Sequence, residues 1–276
     1  MTERLFDWGA RPAERLVTVA SLQAGKGRAA RHAQITADTA EEAAAAEAAG
    51  IEMVACRAAN VAAVRQGSAR VFVTAALGFA DAVTDDDILR VAFRALTDGA
   101  DAVITARRLA VVALLAAEDI PVMGHLGFVP RKSTWVGRTR VVGKTAEEAL
   151  ALWHRFRRLH EAGAFAVEAE LVAAPLLAEI TRRSGLVTVS LGSGPGGDVV
   201  FLFGSDVCGD AGRLPRHARA YGDVAGLRQQ IRDERTTAFA AFRTDIAQGG
   251  FPAPQHAATM DPGVWDDFLT RIDAAT

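Results

Sequence analysis

The chain has 276 residues, 50% of them hydrophobic and 23% charged, with a formal net charge of -2. That length suits one large globular domain, because α/β barrels reach this size without splitting. The near-neutral charge gives no electrostatic reason to expect nucleic acid or an anionic membrane as a partner.

Two cysteines, Cys56 and Cys208, are too few for a disulfide framework or a four-cysteine zinc site and fit a reducing cytoplasm. The opening Met1-Thr2-Glu3-Arg4 carries mixed charge with no apolar core after it, unlike a targeting segment. The apolar runs are short and broken by Arg, Asp or Gly, so none is expected to span a bilayer.

Strand-like runs alternate with helical ones along most of the chain. Ala33–Ala37 is followed by an alanine-rich helix over 40–49. Glu52–Cys56 is followed by a short connection and then Arg70–Ala75. A helix near 85–98 leads to Ala102–Thr105, and one near 108–118 leads to Pro121–Gly124. A strongly periodic helix, Ala146–Ala162, leads to Ala164–Ala169. A helix over 173–184 leads to Leu186–Leu191, and Val199–Phe203 follows. Gly50, Gly99 and Gly163 each follow a helix, where a left-handed cap costs glycine little.

The β-then-α order argues a parallel sheet, and about eight strands favour closure into a (β/α)8 TIM barrel, with an open doubly wound sheet as the alternative. No linker rich in Pro, Gly and Ser appears. The expected organisation is a single domain over 1–276, with an N-terminal helical lead-in and a helical tail over 257–276. The tail's last short amphipathic helix, Val264–Ile272, carries Trp265 and Phe268.

Three motifs carry candidate chemistry. Pro121-Val-Met-Gly-His-Leu-Gly127 reads as a strand whose glycines allow a sharp turn, placing His125 at the carboxyl end where barrel active sites are built. Glu168 and Glu170 close the strand from Ala164, and alternation sends both to the same side, where a carboxylate is a candidate general base or an arginine partner. Leu191-Gly-Ser-Gly-Pro-Gly-Gly-Asp198 is a glycine-rich loop after a strand, readable as an anion cradle through Ser193 and Gly194 or as a plain tight connection. It is not a G-x-G-x-x-G run followed by a helix, the form that a dinucleotide fingerprint takes.

Pro121–Gly127, then Pro130, Gly137, Arg140, Gly143 and the helix start at Thr145, resemble the central signature of ketopantoate hydroxymethyltransferase. So do the run through Glu170 to Thr181, Gly192–Asp198, Tyr221 and the closing Phe251–His256. The resemblance implies a barrel of the phosphoenolpyruvate mutase/isocitrate lyase type. It also implies transfer of a one-carbon unit from methylenetetrahydrofolate to a small oxo acid with Mg2+ as Lewis acid, and assembly into a homo-oligomer. By motif match the catalytic glutamate is Glu170, and His125 matches the family histidine.

The chain departs from that family at its acidic positions. The family's Gly-Asp-Ser is matched by Arg57-Ala58-Ala59, and its Ala-Asp-x-Pro-Phe by Ala75-Ala76-Leu77-Gly78-Phe79. Its Lys-x-Glu-Gly-Gly is matched by Ile104-Thr105-Ala106-Arg107-Arg108. Mg2+ prefers oxygen ligands, and alanine supplies none. The expectation is therefore no metal at the family position, with Arg57 and Arg107 taking over the binding of a substrate carboxylate. Two functions follow: a diverged enzyme making or breaking a C–C bond beside a carbonyl, or a catalytically silent homologue that binds a small carboxylate or a partner subunit.

Overall fold

The computed structural model describes residues 4–78 and 82–275; the chain start Met1-Thr2-Glu3 and Phe79 lie outside the described residues. An antiparallel ribbon, β1 (Leu5–Phe6) and β2 (Pro12–Ala13), precedes helix α1 (Val19–Ala24), so the lead-in is part ribbon and part helix. Eight parallel strands follow: β3 (His32–Thr36), β4 (Met53–Arg57), β5 (Phe72–Ala76), β6 (Ala102–Thr105), β7 (Val122–Gly127), β8 (Ala166–Glu170), β9 (Val187–Leu191) and β10 (Val199–Leu202). They pair in sequence order, and β10 closes on β3 with Val199 opposite His32. The closed barrel decides against an open sheet.

Between the strands run α2 (Ala40–Ala48), α3 (Val61–Gly67), α4 (Asp85–Thr97), α5 (Leu109–Ala117), α6 (Ser133–Val136), α7 (Ala146–Glu161), α8 (Ala174–Arg183) and, after β10, α9 (Gly204–Val207). Thr39, Thr84 and Thr145 cap α2, α4 and α7, each accepting a bond from the backbone N–H three residues on. Glu42 and Asp87 complete capping boxes on the first two. Gly50, Gly99 and Gly163 all take positive φ, as expected of residues that end helices.

Strand alternation divides the core. Met53, Phe72, Met123, Val189 and Phe201 point into the barrel, whereas Val54, Val73, Val103 and Val167 point outwards to the helices. At the amino ends of the strands, Asp101 braces the barrel floor. It accepts from Arg15 Nε at 2.6 Å, from Arg65 Nη2 at 2.5 Å and from the Val73 N–H at 2.8 Å.

Contacts divide the chain into two compact units, residues 1–222 and 223–276. The second consists of α10 (Val224–Gln248) and α11 (Pro262–Ala274), with Trp265 and Phe268 stacked at 5.4 Å between ring centroids.

Candidate active site at the carboxyl ends of the barrel strands

The side chains expected to carry chemistry sit on two adjacent strands. In the β7–β8 ladder, His125 lies opposite Glu168 and Gly127 opposite Glu170. Period-two alternation therefore turns His125, Glu168 and Glu170 into the barrel together. Gly127 has φ of 95°, and a Cβ there would collide with the carbonyl of Glu170, so only glycine lets the two strand ends run this close.

His125 Nε2 lies 2.9 Å from a Glu170 carboxylate oxygen and 3.4 Å from one of Glu168. The three side chains are 15%, 13% and 8% exposed, in the order His125, Glu170, Glu168. Their ligating atoms all fall within 4.8 Å of one another.

Burial and charge push these groups apart. Burial lifts Glu168 above the ordinary carboxylate range; the His125 charge opposes this and the Glu170 charge adds to it. Burial alone would lower His125. Its hydrogen bond to Glu170 and the charges of Glu168 and Glu170 outweigh that, against a smaller push from Arg131, and leave it above its usual value. Both shifts favour keeping a proton within this cluster, where Glu170 is hydrogen-bonded to His125.

A cavity of about 430 Å3 opens above these residues, lined by His125, Glu168, Thr36, Asp38, Phe201 and Phe203 among others. Arg57 also lines it from the rim, with its side chain 81% exposed and 3.9 Å from the Asp38 carboxylate. Arg107 follows β6, donates to the Ala82 carbonyl and faces a neighbouring cavity rather than this one. Arg108 pairs with Asp85 at 2.7 Å.

Ser193 and Gly194 are placed elsewhere. No helix joins β9 to β10, and residues 192–198 make the whole crossover, lying against α8. A Cβ on Gly194 would be 2.6 Å from the Ala174 Cβ, and one on Gly196 would be 2.8 Å from the Ala178 Cα. Ser193 is buried; its hydroxyl donates to the Ala169 carbonyl at 2.8 Å and accepts the Val172 N–H at 2.8 Å. Neither residue lines the mouth cavity, so the substrate-binding role expected of them gives way to packing. The glycine run signalled this loop without distinguishing a cradle for a ligand from a cradle for a helix.

Sequence reasoning placed Glu168 beside Glu170 on the correct side and read either as a general base or an arginine partner, but carried only Glu170 forward as catalytic, although Glu168 is the one of the two that lines the cavity. The signal was the two-residue spacing from Glu170; register at a strand end withheld the rest.

Comparison with known proteins gives the family. Residues 56–254 match the family model described as ketopantoate hydroxymethyltransferase. The chain belongs to this family. It is 35% identical to the 3-methyl-2-oxobutanoate hydroxymethyltransferase of Pyrobaculum islandicum over 70% of this chain and 73% of that protein. It is 35% identical to that of Nitratidesulfovibrio vulgaris over 59% of this chain, a match spanning only 51% of the relative. Among solved structures, 2,3-dimethylmalate lyase, of the PEP mutase/isocitrate lyase superfamily, aligns with a TM-score of 0.50 at 13% identity over 94% of this chain and 99% of that one. The carboxyl transferase domain of Rhizobium etli pyruvate carboxylase aligns with a TM-score of 0.53 at 12% identity over 74% and 48%. These two likenesses are of fold.

The positions matched to the family's acidic residues are Ala58, just beyond β4, and Ala76 and Ala106 in the cavity wall, with Ile104 at the matched lysine. None carries a side-chain oxygen; the carboxylates lining the cavity are Asp38 and Glu168, and His125, Glu168 and Glu170 form a cluster that could hold a metal ion.

Proposed function

We propose that the chain is an enzyme, acting in the cytoplasm, that makes or breaks a C–C bond beside the carbonyl of a small oxo acid. On this reading it uses no Mg2+ at the family position. The observation that carries the reading is the 2.9 Å pair of His125 and Glu170 next to a cavity of oxo-acid size at the carboxyl end of the barrel.

Glu170 takes the proton from the carbon beside the carbonyl, leaving an enolate. His125 orients the substrate and, with Glu168 beside it, holds a proton for the developing enolate oxygen, the task a Lewis acid performs elsewhere. The enolate carbon then forms the new bond to a one-carbon or aldehyde electrophile, whose oxygen collects the proton. Arg57 at the rim receives the substrate's carboxylate.

The test is exchange of the proton beside the carbonyl of 2-oxo acids in deuterated water, followed by NMR. Exchange in the wild type that falls at least ~100-fold in Glu170→Gln is expected, in line with the usual contribution of a general base. No exchange across a broad panel of oxo acids would instead favour a catalytically silent carboxylate-binding homologue, a reading to which Ala58, Ala76 and Ala106 lend weight.

We also propose a homo-oligomer. Leu227, Ile231, Phe239, Phe242 and Ile246 are exposed along one face of α10, an apolar stripe of the kind that marks an interface.

A further inference from the structure

Beside the mouth lies a second cavity, of about 450 Å3, that the reaction above leaves without an occupant. Six of its lining residues are basic: Arg107, Arg108, Arg131, Lys132, Arg155 and Arg158. No described acidic residue lines it. This concentration stands out in a chain whose net charge is -2. Three elements build it. The loop after β6 brings Arg107 and Arg108, the segment after β7 brings Arg131 and Lys132, and one turn of α7 brings Arg155 and Arg158.

The fold accepts a cost to hold these charges together. Arg155 and Arg158 are three apart on one helix, where like charges repel. Lys132 is held below the ordinary lysine range by burial first, then by the charges of Arg155 and Arg131. Arg108 pairs with Asp85, which stands outside the cavity lining. A cleft lined by one sign of charge concentrates ligands of the other sign.

We infer that this cavity binds the distal anionic group, phosphate or carboxylate, of the molecule that reacts at the mouth. His125 and Ala106 line both cavities, so one ligand spans from the basic pocket to the His125–Glu170 pair. Trp135, 81% exposed in the same lining, offers a flat apolar surface for the connecting portion. The anion preference rests on the cavity alone; that the anion is the substrate's own tail rests on the reaction proposed above.

The experiment has two readouts. Binding of pyrophosphate and of citrate to the full chain is measured by calorimetry at low and high salt. The wild type is expected to bind one of them at one site per chain, more weakly at high salt. Which anion binds more tightly tells a phosphate tail from a polycarboxylate tail. Arg155→Glu with Arg158→Glu is expected to weaken binding at least tenfold, while Arg182→Ala with Arg183→Ala, on α8, leaves it unchanged. Failure of both anions to bind, or equal binding by the Arg155→Glu/Arg158→Glu protein, overturns the inference.

The second readout is proton exchange of 2-oxoglutarate against 2-oxobutanoate. The wild type is expected to favour the acid with the distal carboxylate. The Arg155→Glu/Arg158→Glu protein is expected to lose that preference while retaining exchange of the shorter acid. Anion binding without exchange of either acid sinks the proposed reaction and leaves the anion site standing. Exchange with no preference for a distal anion removes the link between the two.

Discussion

Asp101 offers the most direct test of how this barrel is held together. Its carboxylate accepts from Arg15 and Arg65, whose side chains are only 7% and 12% exposed, and from the Val73 N–H in the β5 ladder. Asp101→Ala removes all three bonds at once. Each charge-assisted bond is worth about 1.5–3 kcal/mol, and stranding a buried N–H costs about 1–3 kcal/mol. The guanidinium groups keep carbonyl partners, Gly99 and Val71 for Arg65 and Ala69 for Arg15, which tempers the loss. The expected destabilisation is about 3–5 kcal/mol, the range for breaking a buried pair. Asp101→Asn retains an acceptor and is expected to lose about 2 kcal/mol. Urea unfolding followed by circular dichroism measures both. A shift under about 1 kcal/mol for Asp101→Ala would refute the view of Asp101 as the brace of the barrel floor.

Other outcomes follow from the same packing. Burial first, then the charge of Asp38, pushes the Cys56 thiol up to about 12, with Arg65 opposing. A thiol reagent at pH 8 is therefore expected to label the exposed Cys208 and spare Cys56 until the protein unfolds. Thr74 is fully buried and its hydroxyl has no hydrogen-bond partner among the described residues, so Thr74→Val is expected to raise stability by about 1 kcal/mol, measured as a higher Tm. His125, raised above its ordinary value, contributes stability that is present below about pH 6.5 and lost as pH rises through its folded value. The stability difference between wild type and Glu170→Gln in chelator-treated protein should accordingly shrink from pH 6 to pH 9; a constant difference would contradict the ion pair. Gly127→Ala is expected to destabilise the barrel and to disturb Glu170, read as a loss of proton exchange.

The barrel was legible because its strands are short apolar runs and its helices are punctuated. The expected Ala102–Thr105 is β6 as observed, and the post-helix glycines marked helix ends to within a residue or two. Helix α10 was not read from the sequence, because the polar and alanine residues between Leu227, Ile231, Phe239, Phe242 and Ile246 dilute their apolar period. α3 was read as a short connection because its seven residues carry too little pattern. At the site, alternation was enough to set Glu168 and Glu170 on one side and His125 at the carboxyl end. What alternation does not carry is contact across strands: the register that joins His125 to both carboxylates, and the turn of Arg107 into a different cavity from Arg57. The glycine loop was ambiguous for a physical reason, since close approach of backbone to a ligand and to a helix demand the same residue.

His125, Glu168 and Glu170 all belong to hydrogen-bonded strands, whereas Arg107, Arg108, Arg131 and Lys132 belong to the segments that follow β6 and β7. Such a layout separates what must stay fixed from what is free to drift. Loops after β6 and β7 can be exchanged between homologues to retune which acids are admitted, while the proton-handling trio keeps its spacing through the ladder beneath.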